Sequence, residues 1–149
     1  LNFSYTEALF IEQVCVLLAI IISSLTGNDY FGKQSLPRLM MWATLGVSLV
    51  GLANLFNQVV LGLLFLCSTL YVSGKVPPKI NAMLLKNLAP EVLARTSNFL
   101  GLLFTLSVPL GTACFSLVAV WNIQLTWMLF VALSLIAILL TILNLKNDI

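Results

Sequence analysis

Histidine is absent, and only 8% of the 149 residues carry charge. A soluble domain carries about 25%, because polar surface must cover its core. A chain that is 60% hydrophobic, with mean hydropathy +1.08, has too little to do so. A net charge of +2 without a basic cluster excludes a nucleic-acid binder, which must neutralise a phosphate backbone. The three cysteines, Cys15, Cys67 and Cys114, stand singly in separate apolar runs. Without histidine or a close cysteine pair there is no ligand set for zinc or iron, and each thiol reads as a small hydrophobe. No metal or cofactor is expected. A nucleophile–base pair is missing too, which makes a membrane enzyme the least favoured class. No basic segment precedes the first apolar run, so that run is not a signal peptide. With Leu1 rather than methionine at its start, the chain is expected to be a piece of a longer protein.

What is present is long uncharged sequence. Residues 13–28, 39–74 and 96–145 contain no charge and are 16, 36 and 50 residues long. One membrane helix needs about 20 predominantly apolar residues. The first stretch, extended back past Glu12, makes one span. The other two make two each, turning at Asn54, Asn57 and Gln58 and at Trp121, Asn122 and Gln124, as tight helical hairpins do. The expectation is an all-α integral membrane protein forming one membrane domain, with five transmembrane helices over roughly 6–26, 38–56, 58–86, 91–120 and 124–145. Barrel strands alternate polar and apolar residues. These runs are apolar on nearly every side, and only a helix pairs all its backbone groups within such a segment.

Sidedness follows from the seven basic residues. Lys33 and Arg38, the group Lys75, Lys79, Lys86 and Arg95, and finally Lys146 all fall on one side of a five-span chain. The positive-inside rule puts that side, with the C-terminus, in the cytoplasm and residue 1 outside.

Several polar residues lie within the expected spans. Glu12 is about two turns into the first span. A carboxylate at that depth faces a cavity and carries protons, or else marks the headgroup layer where the helix begins. The run from Gln58 to Gly74 is 17 residues, at the short limit for a span. The helix therefore either ends there, leaving a loop with Pro77 and Pro78, or continues, kinked at those prolines, to Lys86. In the continued helix Ser68, Tyr71, Lys75 and Lys79 share one face, and Lys75 lies near mid-depth, where it needs a cavity or an acidic partner. Asn98, Gly101, Thr105, Pro109, Thr112 and Ser116 form a small, polar stripe on the fourth span. Such a stripe suits close helix packing or the wall of a water-filled path. Pro109 with Gly111 adds a flexible point. Pro90 suits a helix start, and Glu91 and Arg95 make a favourable i,i+4 pair there. The last span, with Thr126, Ser134, Thr141 and Asn144, offers no site and reads as lipid-facing on most sides.

The order Pro77, Pro78, Asn81, Pro90, Glu91, Arg95, Asn98, Pro109, Gly111 resembles the tenth-to-eleventh helix region of efflux-type major facilitator superfamily permeases. Gly27, Asp29, Gly32 and Lys33 resemble a shortened form of that family's basic loop motif, without its second basic residue. The resemblance covers the chain as helices eight to twelve. It implies a partial C-terminal six-helix bundle, completed by a missing N-terminal half, in a plasma membrane, bacterial cytoplasmic by type. It also implies export of small amphipathic or drug-like compounds by proton antiport, with Glu12, Ser68, Tyr71, Lys75, Lys79, Asn98 and Thr105 on the substrate or proton path. Pro77, Pro78, Gly101, Pro109 and Gly111 would be hinge or packing positions. A gating role for Glu91 and Arg95 is a further implication. An uptake permease for a sugar or metabolite is the alternative within the class, and a non-transporting membrane subunit is the alternative outside it.

Overall fold

A computed structural model describes residues 4–147, and among these every regular element is an α-helix. The helices are α1 (Tyr5–Leu25), α2 (Tyr30–Lys33), α3 (Leu36–Leu55), α4 (Val59–Ser73), α5 (Val76–Asn87), α6 (Pro90–Trp121) and α7 (Ile123–Asn147). Five segments are long and apolar enough to cross a membrane: Thr6–Leu25, Leu36–Leu55, Val59–Asn87, Pro90–Trp121 and Ile123–Lys146. The chain is an all-helical, multi-pass membrane protein.

Local chemistry sets the helix ends. Ser4 and Glu7 form a reciprocal capping box at the start of α1. Asp29 caps α2, its Oδ1 accepting from the Gly32 amide at 2.9 Å. Pro90 opens α6, where its missing N–H has no intrahelical acceptor to lose. Asn57 turns the chain between α3 and α4 with φ 58°, a left-handed conformation that asparagine tolerates. Asn122 alone joins α6 to α7, its Oδ1 accepting from the amides of Gln124 at 2.9 Å and Leu125 at 3.2 Å.

The third span is broken rather than simply kinked. The amide of Lys75 bonds back only three residues, to Val72 at 3.2 Å, and α5 begins at Val76. Pro77 and Pro78 have no N–H to offer the carbonyls one turn earlier, so the ladder of α4 must stop before them. Residues 76–87 are nonetheless helical, which removes the reading of this segment as a loop.

α3 is the centre of the bundle, packed antiparallel to both α4 and α7, while α1 runs parallel to α4. Close approach depends on small residues. A Cβ at Gly46 would lie 2.3 Å from Thr69 Oγ1 on α4, and one at Gly51 would lie 2.7 Å from Val131 on α7. Ser48 and Ser134, both buried, share a hydrogen bond of 2.8 Å between α3 and α7. α7 is exposed over most of its surface, and Ser134 is a buried hydroxyl by which this aliphatic helix binds its neighbour.

Among the five membrane-length segments, α6 is the one with no buried residue. It meets α5 near its start and α7 near its end, where Phe115 and Phe130 stack edge to face at 5.7 Å. The small stripe on α6 packs against no described residue: a Cβ at Gly101 or Gly111 would meet nothing within 4 Å. Thr105 and Thr112 bond only to carbonyls of their own helix. The helix runs unbroken through Pro109.

Candidate functional site

The chemistry concentrates where α1 ends, α2 begins and α4 breaks. Tyr71 and Lys75 are four residues apart and so share a face toward α1. Gly74 lets the helices close here: a Cβ on it would lie 2.7 Å from Ser23 Oγ. That hydroxyl donates to the Tyr71 carbonyl at 2.7 Å.

Asp29 is the hub. Its Oδ1 holds the Gly32 amide and lies 3.0 Å from Lys75 Nζ, and its Oδ2 accepts from the Tyr71 hydroxyl. The Tyr71 hydroxyl is also 2.8 Å from Thr26 Oγ1. Lys75 is only 6% exposed. Its ammonium donates to the carbonyl of Thr26 and to that of Ser23 at 3.3 Å, and stands 4.6 Å from the centre of the Tyr71 ring. A buried cation is tolerated only when its charge and its protons are both matched, and here both are. Phe31 on α2 covers the cluster, edge-on to Tyr71 at 6.3 Å and to Trp42 at 6.2 Å.

Asp29 lies in the connection after α1, outside the spans. The Tyr71 hydroxyl is the main cause that holds its carboxyl down to about 2; desolvation, the next largest effect, opposes it, and Lys75 and the Gly32 amide add to the lowering. A depressed carboxyl contributes stability that is complete above its unfolded value, near 3.9, and lost as pH falls toward 2. Asp29 should therefore add no pH dependence to thermal stability between pH 5 and 8. Below about pH 4 it should fall more steeply in the native protein than in Asp29→Asn. Melting curves across that range measure the difference, and parallel curves for the two proteins would refute it.

Of the residues singled out from the sequence, Asp29, Gly32, Tyr71 and Lys75 meet in one cluster. Lys79 joins its edge, its amine reaching the Gln34 carbonyl. Both lysines lie level with the connection between α1 and α3. Ser68, expected on the same face, is exposed and bonds only to the Leu64 carbonyl at 2.9 Å. Glu12 is half-buried on α1, with no ion pair or side-chain hydrogen bond to another described residue. Asn98 and Thr105 are exposed on α6, away from the cluster. Glu91 and Arg95 begin α6 but do not approach to ion-pair distance, and both are exposed. A Cβ at Gly27 would have open space, and Lys33 ends α2.

Ser23 and Thr26 belong to the site and escape sequence reading. The only hint is that hydroxyls recur at the end of an otherwise aliphatic helix. No family model, curated protein or solved structure matches the chain.

Proposed function

We propose that the chain is the C-terminal part, helices eight to twelve, of a major facilitator permease. In this reading the whole protein exports small amphipathic or drug-like compounds in exchange for protons. The observation that carries it is the Asp29–Tyr71–Lys75 cluster set against the break in a membrane-length helix. Lys75 is a lysine buried within a membrane-length apolar segment, and such residues are expensive and belong to transport machinery more often than to inert scaffolds. Discontinuous helices are a recurring part of alternating-access transporters. The ordered prolines, Asn81, Glu91 and Arg95 supply the family resemblance, and export and proton coupling follow from that resemblance.

The mechanism is alternating access. The cluster ties α1 and the α1–α3 connection to α4 at the basic end of the bundle, which closes that end. Opening separates Lys75 from Asp29 and lets the helices rock against the missing N-terminal half. Glu12, the unpaired half-buried carboxylate, carries the coupled proton. The bilayer is the cytoplasmic membrane of a bacterium, with residue 1 outside. Cysteines replacing Lys33 and Lys86 should then be labelled only from the cytoplasm, and one replacing Asn122 only from outside. Labelling of position 122 from the cytoplasm would overturn this orientation.

The test of function is flux. The complete protein in proteoliposomes should move a lipophilic dye only when a proton gradient is imposed. Glu12→Gln should abolish that dependence, with a loss of tenfold or more in rate on the order expected for a proton carrier, while leaving the elution profile unchanged. Gradient-driven flux that survives Glu12→Gln with its pH dependence intact would remove Glu12 from the proton path. Absence of any flux would remove the transporter reading itself.

A further inference from the structure

A cleft of about 450 Å³ opens between α3, α5 and α6, apart from the charged cluster. Its walls are mainly apolar, with Met40, Ile80 and Phe104 contributed by the three helices in turn. Its polar members are Thr44, Ser73, Asn81 and Ser97, and none of its lining residues is charged. The Thr44 hydroxyl is already committed to the carbonyls of Met40 and Met41, at 3.0 Å each. The side chains of Ser73, Asn81 and Ser97 bond to no other described residue. Lys75 and Lys79, adjacent in sequence to the lining residues Val76 and Ile80, are engaged elsewhere, Lys75 by Asp29 and Lys79 by the Gln34 carbonyl.

These features define a ligand class. A concave site of roughly 300–1,000 Å³, apolar but with a few convergent polar groups, is the usual form of a small-molecule pocket. Asn81 and Ser97 are exposed and Ser73 is half-buried, so their side-chain groups are open to a ligand that enters the cleft. A charged ligand would meet no opposite charge in the walls and would have to shed its hydration. We infer that the cleft binds an uncharged amphipathic small molecule, held by Asn81, Ser73 and Ser97 through its polar groups and by the apolar walls through its rings or chains. As a statement of the substrate class, this rests on the transport reading above; as a statement of binding, it does not.

Gly101 provides the means to test it. It lines the cleft, and a Cβ added there meets nothing within 4 Å, so a larger side chain fills the space without disturbing a packed interface. Gly111 is equally open, lies on the same helix and is outside the cleft. The probe is 4-(hydroxymethyl)benzophenone, neutral and photoactivatable, with 4-benzoylbenzoate as its anionic counterpart. Both are irradiated with the full chain in phosphatidylcholine nanodiscs, and adducts are mapped by mass spectrometry.

Saturable adducts should concentrate on residues 73–84 and 97–104, about tenfold above those of the benzoate. Gly101→Phe should remove them, Gly111→Phe should leave them, and Asn81→Ala should weaken half-saturation about fivefold, the scale of one hydrogen bond. Adducts spread over α6 and α7 and unaffected by Gly101→Phe would overturn the proposal, showing only partition into lipid. Equal labelling by the benzoate would overturn the neutral class. Should Gly101→Phe fail to fold, the Asn81→Ala and benzoate comparisons still decide. Flux of the alcohol by the complete protein separates the two readings: if Gly101→Phe leaves it intact, the cleft is not the transport site, whereas no flux in the native protein overturns transport and not binding.

Discussion

Asp29→Asn should destabilise the protein more than Lys75→Met, and the double variant should recover most of the loss. The asymmetry comes from burial. Lys75 has 5% of its side chain exposed and Asp29 has 25%. When the carboxylate goes, a buried ammonium loses its countercharge, and breaking a buried pair from one side is far costlier than replacing both partners. When the ammonium goes, Asp29 retains the Tyr71 hydroxyl, the Gly32 amide and partial access to solvent. Methionine preserves most of the packing along the Lys75 stem. The fall in melting temperature for Asp29→Asn should be roughly 10 °C, the scale set by a stranded buried charge in a chain of this length. Thermal unfolding of the four proteins in one detergent gives the full cycle. A double variant less stable than either single one would show that the cluster is not an ion pair in the energetic sense.

The second large effect is expected at Gly46. Gly46→Leu should abolish the monodisperse folded species, because α3 and α4 are in contact at this point. A Cβ there would lie 2.3 Å from Thr69 Oγ1 and 3.2 Å from Thr69 Cβ. Thr69 cannot swing aside, since it is buried and its hydroxyl is bonded to the Phe65 carbonyl at 2.7 Å. Overpacking costs about 1–3 kcal/mol where neighbours can shift and more where they cannot. Separating α3 from α4 also strains the α3–α7 contact on the opposite face, at Gly51. Gly111→Leu, the same change in open space, should leave elution and melting unchanged. Equal behaviour of the two variants would mean that helix approach at Gly46 is not limiting.

These two sites show what could be read in advance and what could not. In a continued third helix, the sequence marks Lys75 as a residue needing a cavity or an acidic partner. Asp29 was recognisable as part of a loop motif. That each is the other's partner depends on the parallel packing of α1 on α4, which no periodicity in either segment encodes. Gly46 and Thr69 are ordinary residues in their own helices and become critical only when the two helices touch. Ser134 is the same case, one hydroxyl among many until Ser48, 86 residues away, is placed opposite it. The stripe on α6 shows the converse, since its spacing suits close packing while the described residues leave it uncovered.

The sequence alone determined that the chain is helical, with five segments long and apolar enough to cross a membrane. Those properties follow from local quantities: the length of each uncharged run, the absence of alternation, and the turn residues between runs. The tertiary structure alone decided which charges are satisfied, where the third span breaks relative to its neighbours, and which polar groups line an uncharged cleft. The physical reason is that burial and pairing belong to surfaces made by two or three helices together. In spans that are apolar on almost every side, the hydrophobic pattern does not say which face meets which. Small residues and single hydroxyls settle that choice only once the helices are side by side.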